Sequence, residues 1–273
     1  MKTAPAFCAE LVACALGVAS VVMFAATHVH AQTIGKGVCV PRASFTASVK
    51  SVPDGRSIVL DDGREILLAT IETPGHWARD VLPALVTGRA LSVEPLSVGT
   101  DRYGRLAARV FLSIEDTPRS LEAELVAKGV AMVGISGNGA QKGGDPCRNV
   151  LLAQEASART ARLGLWADPD YDTKAADNPP VILGSKGRFA VIEGKVLSVR
   201  ESGGTIYVNF GRRWSEDFTV TILKRISARF IGAGLDPKRL EGRRIRVRGF
   251  VEERGGPWIE ATAPEQFEIA DNR

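Results

Sequence analysis

Residues 63–75 read Gly-Arg-Glu-Ile-Leu-Leu-Ala-Thr-Ile-Glu-Thr-Pro-Gly, and this stretch decides the fold of the 273-residue chain. It begins at the turn dipeptide Asp62-Gly63 and continues as a short apolar run, which predicts a β-strand. Upstream, Asp54-Gly55 lies between runs at 44–52 and 57–60 that also alternate or stay apolar. The sequence therefore predicts three consecutive strands joined by tight turns.

The same patterns predict the other elements on both sides of this stretch. The predicted strands are 44–52, 57–60, 65–71, 91–98 and 107–112, then 190–199, 205–210, 218–222, 244–251 and 258–263. The predicted helices are 77–87, 120–128, 148–162 and 228–233. Three strands, a helix and two strands are the element order of an OB-type barrel, and both halves follow it. The predicted fold class is mainly β with helices (α+β), with one OB-type barrel followed by a second.

The first 31 residues have the composition of a signal peptide. Lys2 gives a positive start, residues 11–26 are apolar, and small residues precede Gln32. The predicted location is therefore the periplasm or the outside of the cell. No stable membrane span is expected once the signal is removed, because the apolar run is short.

Composition also divides the rest of the chain. The polar, proline-bearing segment 168–187 is typical of a linker. It separates a predicted domain at 44–167 from a second predicted domain at 188–270. No sequence repeat relates the two.

Two cysteines, Cys39 and Cys147, follow the predicted signal peptide. In an oxidising compartment a disulfide between them is the natural pairing, and the alternative is two buried free thiols. Together with the single mature histidine, His76, they are too few for a structural zinc site.

The net charge is +4, and its location is informative. Residues 188–273 contain 16 Lys and Arg against 12 Asp and Glu, which accounts for the whole excess. A mild basic bias is compatible with an anionic partner, although excesses of this size also occur on surfaces without such a role.

Three segments carry a resemblance to a known family. They are Asp54-Gly55-Arg56-Ser57, residues 63–75 and Asp101-Arg102-Tyr103-Gly104-Arg105. Residues 44–166 resemble the staphylococcal nuclease (thermonuclease) family, whose corresponding motifs are D-G-D-T, R-L-x-G-I-D-x-P-E and D-x-Y-G-R. The resemblance implies a nuclease-like OB-type barrel with C-terminal helices.

The chain departs from the family at positions that carry chemistry. Arg56 stands where the family has the second Asp of its first motif, Leu67 where it has Arg, and Gly75 where it has Glu. Arg105 and Thr73 match the family.

Glu72 replaces the family's metal-binding Asp with a longer carboxylate. Members of this family hydrolyse phosphodiesters with one Ca²⁺, and the resemblance implies that Arg56 would repel such an ion. The sequence therefore predicts an inactive relative with no cofactor, in which Arg56 and Glu72 form a salt bridge. The alternative is a divergent phosphodiesterase that uses Glu72, Arg105 and His76, and Ca²⁺ is expected only in that case.

The second half resembles an accessory domain that follows nuclease-like domains in exported bacterial proteins. OB barrels often bind single-stranded nucleic acid through aromatic side chains beside a basic groove. The candidates are Tyr207, Phe210, Trp214, Arg212, Arg213, Arg243 and Arg246. In the alternative interpretation residues 243–248 form a half-buried strand, with Ile245 and Val247 inward and the arginine heads in solvent, and the aromatic rings are core.

These observations leave three functional hypotheses. The first is an exported, non-catalytic binding or scaffold protein whose partner is single-stranded nucleic acid or another polyanion. The second is the divergent phosphodiesterase. The third is an envelope protein that binds another protein or a polyanion and has no nucleic-acid role.

Overall fold

The computed structural model describes residues 39–114, 117–135 and 145–270. The signal peptide predicted at 1–31 lies outside the described residues. The strands are β1 Phe45–Ser51, β2 Ser57–Leu60, β3 Glu65–Leu68, β4 Ile71–Glu72, β5 Ala90–Thr100, β6 Arg105–Ile114, β7 Thr117–Ser120, β8 Met132–Val133, β9 Lys174–Ala175, β10 Phe189–Lys195, β11 Ser198–Ser202, β12 Thr205–Asn209, β13 Thr219–Leu223, β14 Arg244–Phe250, β15 Glu252–Arg254, β16 Gly256–Ala261 and β17 Phe267–Ile269. The helices are α1 Val81–Val86, α2 Leu121–Ala127, α3 Pro146–Thr160, α4 Pro179–Leu183 and α5 Ser227–Gly232.

The first sheet closes into a barrel. Its strand order is β3-β2-β1-β5-β6-β7, and a parallel pairing between β3 and β6 completes the ring. Alternate residues such as Ile66 and Leu68 point inward and are fully buried. Helices α2 and α3 add Leu125 and Leu151 to the same core.

The second barrel has the same pairing scheme. Strands β10 and β11 pair with β14 and β12 respectively, while β13 pairs in parallel with β16, as β3 does with β6. The predicted single strand 190–199 is therefore two strands that belong to different sheets. The fold class predicted from the sequence, a nuclease-like OB-type barrel followed by an OB-like barrel, is confirmed.

Two predicted elements of the first barrel are clearly shorter in the structure than in the prediction. The strand predicted at 65–71 ends at Leu68, and the chain resumes as β4, which pairs with β8. The helix predicted at 77–87 begins only at Val81. Pro83 consequently lies in its first turn, where a backbone N–H has no acceptor within the helix.

The segment predicted as a linker, 168–187, contains regular structure. Strand β9 pairs in parallel with β10, and the side chain of Asn178 caps α4 by accepting a hydrogen bond from the Val181 N–H at 3.4 Å. Pro179 and Pro180 lie in the first turn of this helix, so they mark its start rather than a flexible connection. The domain boundaries themselves stay a prediction.

A second group of contacts joins α3 and β8 to the second barrel. Arg248 of β14 is fully buried, and its guanidinium donates to both carboxylate oxygens of Glu155, at 3.1 and 2.9 Å, and to the Val133 carbonyl at 2.8 Å. It also pairs with Glu268. An apolar cluster lies beside these contacts and consists of Met132, Ala158, Leu165, Trp166, Phe189 and Val191.

The predicted disulfide between Cys39 and Cys147 is present. It ties the beginning of the described chain to the first turn of α3. Within the described ranges no helix combines the length and the apolar character needed to cross a membrane.

Candidate functional site

The turn before β2 places Arg56 at the nuclease-like site. The Asp54 carboxylate accepts hydrogen bonds from the backbone N–H groups of Arg56 and Ser57, at 2.7 and 2.5 Å. This is the local bonding that makes Asp-Gly turns rigid. The Arg56 side chain then reaches across to β3, where its Nε donates to the Leu68 carbonyl at 3.2 Å.

Glu72 is the acidic partner of Arg56 in this site. It belongs to β4 and lies opposite Met132 of β8. The Arg56 guanidinium donates to its carboxylate, so the salt bridge predicted from the sequence is present. Burial raises the pKa of Glu72 above its ordinary value, while the adjacent Arg56 opposes that shift.

The two arginine positions of the family lie on one outer face of the barrel. Leu67 is paired with Ser57 on β2 and with Ala107 on β6. Arg105 precedes Ala107 by two residues on the same strand, and side chains two apart share a face. One of the two positions therefore carries a guanidinium and the other an isobutyl group, which cannot donate a hydrogen bond.

Arg105 is held within its own turn. Its Nε donates to the Asp101 carboxylate at 3.0 Å, and a second guanidinium nitrogen lies 2.8 Å from the same carboxylate. Hydrogen bonds from the backbone N–H of Arg105, its side chain and the backbone of Tyr103 hold the pKa of Asp101 below its usual value. The guanidinium carbon of Arg105 also lies 5.1 Å from the centre of the Tyr103 ring.

The position of the family's Glu is closed to a side chain. Gly75 has a φ of +62°, a backbone conformation that residues with a Cβ rarely adopt. A Cβ built there would lie 3.3 Å from the Tyr171 hydroxyl. Tyr171 comes from the segment predicted as a linker, so restoring Glu at this position alone introduces backbone strain and crowding.

His76 is exposed beside this position. Its ring stacks on Trp77, with ring centres 5.3 Å apart and planes 17° from parallel. Its role as a catalytic base in the divergent-phosphodiesterase hypothesis stays a prediction.

The donor set does not fit Ca²⁺. This ion takes about six to eight oxygen ligands, most of them carboxylates and carbonyls. Here the Arg56 guanidinium stands at one carboxylate position and is bonded to Glu72, which directly precedes the half-buried Thr73 in the chain. Across residues 39–114, 117–135 and 145–270, no three His, Cys, Asp or Glu side chains are grouped to hold a metal ion.

The second barrel has an aromatic surface on its outer face, formed by β12, β13 and β16. Tyr207 and Trp258 are half-buried and pack edge to face, with ring centres 6.1 Å apart. The Arg254 guanidinium carbon lies 5.1 Å from the centre of the Trp258 ring. The buried Thr219 is paired with Trp258 in the parallel β13–β16 ladder.

An exposed loop between β12 and β13 carries a further aromatic residue. Trp214 on this loop has 74% of its surface exposed, and Arg212 and Arg213 precede it. Arg213 pairs with Glu216 at 2.8 Å. The loop passes close to the β15–β16 turn: a Cβ on Gly255 would lie only 2.9 Å from the Ser215 carbonyl oxygen.

The remaining candidates in this barrel are placed differently. Phe210 packs on Phe218 in the barrel core, as the alternative interpretation of the aromatic residues expects. Arg246 is half-buried, and its Nε donates to Glu193 at 2.6 Å, while Arg243 lies on the far side near α5. The expectation that every arginine head of residues 243–248 reaches solvent is wrong for Arg248, because α3 covers that end of β14.

Trp258 and Arg254 were not among the sequence candidates. Their signal was present, since Arg254-Gly255-Gly256-Pro257-Trp258 has the composition of a hairpin turn followed by a strand. The aromatic residue after such a turn lies on the face opposite the buried Ile259.

Two comparisons with known proteins identify the family of this chain. Residues 60–168 match the family model described as staphylococcal nuclease homologue, so the chain belongs to this family. It is also similar to Protein ParB of Escherichia coli, with 32% identity over 142 residues that cover 46% of this chain and 75% of ParB.

Proposed function

We propose that this chain is an exported, non-catalytic member of the nuclease family that acts as a binding or scaffold module. The observation that carries the proposal is the ion pair between Arg56 and Glu72 in the position of the family's metal site. A guanidinium already bonded to the remaining acid competes with a divalent cation for its oxygens. Like charges a few ångströms apart also repel by roughly 4 kcal/mol at an effective dielectric constant of about 20.

The other two substitutions act on different steps of phosphodiester hydrolysis. Loss of a general base costs about 10²–10⁴-fold in rate, and Gly75 provides none. Loss of a donor to the developing phosphoryl charge costs about 10²–10³-fold, and Leu67 has none to give. These factors are not additive, yet either one with a displaced metal leaves little rate enhancement.

We expect the purified chain to show no calcium-dependent cleavage of denatured DNA and no calcium binding by calorimetry. Arg56→Asp is the informative variant, because it removes the cation and restores a carboxylate beside Glu72. We expect it to bind Ca²⁺ without cleaving DNA, since Leu67 and Gly75 are unchanged. The measurements are acid-soluble nucleotide release and the calorimetric titration of each protein.

Calcium-dependent cleavage by the unmodified chain would contradict this proposal. If Arg105→Ala or His76→Ala then abolished the cleavage, the divergent phosphodiesterase would be the better account. Arg102→Ala is a suitable control, since this exposed arginine lies within the same turn but is not a family active-site position.

For the binding role we propose single-stranded nucleic acid, held by the aromatic surface of the second barrel. Tyr207, Trp214 and Trp258 offer ring faces for base stacking, while Arg254 and Arg212 supply positive charge. Base stacking contributes about 1–3 kcal/mol per base in other single-strand binders. Arg254 also pairs with Glu252 at 2.9 Å, so its charge is partly offset in the free protein.

We expect fluorescence polarisation with a labelled deoxythymidine oligonucleotide to show affinity that falls steeply with salt. Trp214→Ala should weaken binding about tenfold at constant salt, because one stacked base is lost. Val181→Ala removes a 46% exposed apolar side chain on α4, away from the aromatic residues in sequence, and should have no effect. Binding that is absent, or equal in both variants, would favour a protein partner instead.

A further inference from the structure

The positive charge of the chain is concentrated in one region of the second barrel. Residues 224–244 contain 7 Lys and Arg against 2 Asp and Glu, an excess larger than the net charge of +4 for the whole chain. The region comprises the 3-10 turn Lys224–Ile226, helix α5, the 3-10 turn Pro237–Arg239 and the start of β14. It shares no residue with the aromatic surface.

A pocket of about 450 Å³ opens in the middle of this region. Its walls combine the aliphatic side chains of Ile231, Leu235, Leu240 and Ile269 with one acid, Asp236, and two arginines. Leu240 is buried in the floor, whereas Ile231 and Ile269 at the mouth are 56% and 45% exposed. Burial of such an apolar surface by a partner is favourable.

Two arginines, Arg239 and Arg243, line the pocket. Arg225 of the preceding 3-10 turn and Arg229 of α5 are exposed elsewhere in the same basic region. The Arg239 side chain is 87% exposed and its nearest acid, Asp236, is 3.6 Å away. Such a loose pair leaves most of the arginine's hydrogen-bonding capacity to solvent.

We propose that this pocket docks an acidic segment of a partner protein, with one aliphatic side chain in the pocket and flanking carboxylates on the arginines. Bidentate arginine–carboxylate pairs give such contacts both strength and orientation. The inference goes beyond the proposed function, because it holds whether or not the nuclease-like site is inert.

The shape and lining of the pocket favour a peptide over other anionic ligands. A nucleic acid strand held by bases needs aromatic faces for stacking, and the side chains lining the pocket include no aromatic ring. A membrane surface is bound by apolar side chains that project into it, whereas here the apolar surface is concave. An aliphatic side chain flanked by carboxylates matches both the cavity and its charged rim.

The test is selection from a displayed library of random peptides on the full chain. We expect the enriched peptides to place an aliphatic residue among Asp and Glu. In fluorescence polarisation, Ile231→Asp and Arg239→Glu should each weaken the best peptide at least tenfold. Val181→Asp adds the same charge at a 46% exposed position on α4 and should leave the affinity unchanged.

Three results would overturn the proposal. One is a selection that yields no peptides or yields basic ones, and another is a peptide that binds Ile231→Asp as tightly as the unmodified chain. The third is an oligonucleotide or a phosphatidylglycerol vesicle that binds more tightly than the peptide and loses affinity on the same two substitutions. That outcome would assign the pocket to a different class of ligand.

Discussion

Arg248→Met should lower the free energy of unfolding by about 3–5 kcal/mol, because it leaves the fully buried Glu155 carboxylate only the looser pairing with Arg159, 3.6 Å away. Arg248 is fully buried and is bonded to Glu155, which is also fully buried, and to Glu268. The Val133 carbonyl would lose a hydrogen-bond donor as well. Urea denaturation followed by circular dichroism measures the change.

Arg254→Met is the matched control. Arg254 also pairs with two glutamates, Glu252 and Glu260, but its side chain is 47% exposed. Solvent screens such a pair, so we expect a loss of about 1 kcal/mol or less. If the two variants lost equal stability, burial would not be the cause and the explanation would fail.

A second substitution separates the unpaired charge from the lost packing. Glu155→Gln keeps an oxygen that accepts the Val133 N–H, a bond of 2.8 Å in the unmodified chain. In the double variant with Arg248→Met, the fully buried negative charge is gone. We expect the double variant to be more stable than Arg248→Met alone, because a buried carboxylate that has lost its main cation costs more than a neutral amide in the same place.

These contacts also connect the second barrel to the nuclease-like site. Both backbone groups of Val133 are bonded in the network, through Glu155 and Arg248. Val133 belongs to β8. The other residue of this strand, Met132, is paired with Glu72 on β4. The second barrel therefore stabilises the short strand that carries the acid of the Arg56 ion pair.

The barrels could be predicted from sequence because their signals are local. Turn dipeptides such as Asp62-Gly63 and alternation along each strand reflect contacts within a few residues. The Asp62 carboxylate accepts from the Arg64 N–H at 3.0 Å, as a hairpin cap should. The Arg56–Glu72 pair was also predictable, because motif positions fix which residues meet.

The buried Arg248 could not be predicted from the sequence. Alternation of apolar and polar residues indicates that one face of a strand is buried, but not what covers the other face. The pattern of residues 243–248 is the same whether the opposite face meets water or another domain. The one available signal was Glu155, an acid between Leu151 and Ala158 on the buried side of α3. An acid in that position indicates a cation on a facing element.

The contact of Tyr171 with Gly75 is non-local in the same way. Proline and polarity at 168–187 predict a linker, but the sequence does not reveal where such a segment packs. Proline followed by an apolar run after Asn178 was in fact a helix start. Tyr171 of this segment and Trp77 of the first barrel both pack against the apolar cluster that contains Phe189 of the second barrel.

Replacing both cysteines by serine should lower the free energy of unfolding by about 4 kcal/mol. The disulfide joins residues 108 apart, and closing a loop of this size restricts the unfolded chain by roughly that amount. For a chain of this length, we expect the melting temperature to fall by roughly 10 °C. Calorimetry of the unmodified chain, with and without dithiothreitol, should reproduce the difference, and dithiothreitol should not affect the Cys39→Ser/Cys147→Ser variant.

The same measurement bears on the proposed export. A reducing cytoplasm keeps thiols reduced. Protein made there should therefore contain free Cys39 and Cys147 and should melt like the serine variant. Protein recovered from the periplasm should melt about 10 °C higher and show no free thiol when denatured without reductant. Equal melting temperatures from the two compartments would mean that the disulfide does not stabilise the chain, and the link between its stability and an oxidising location would be lost.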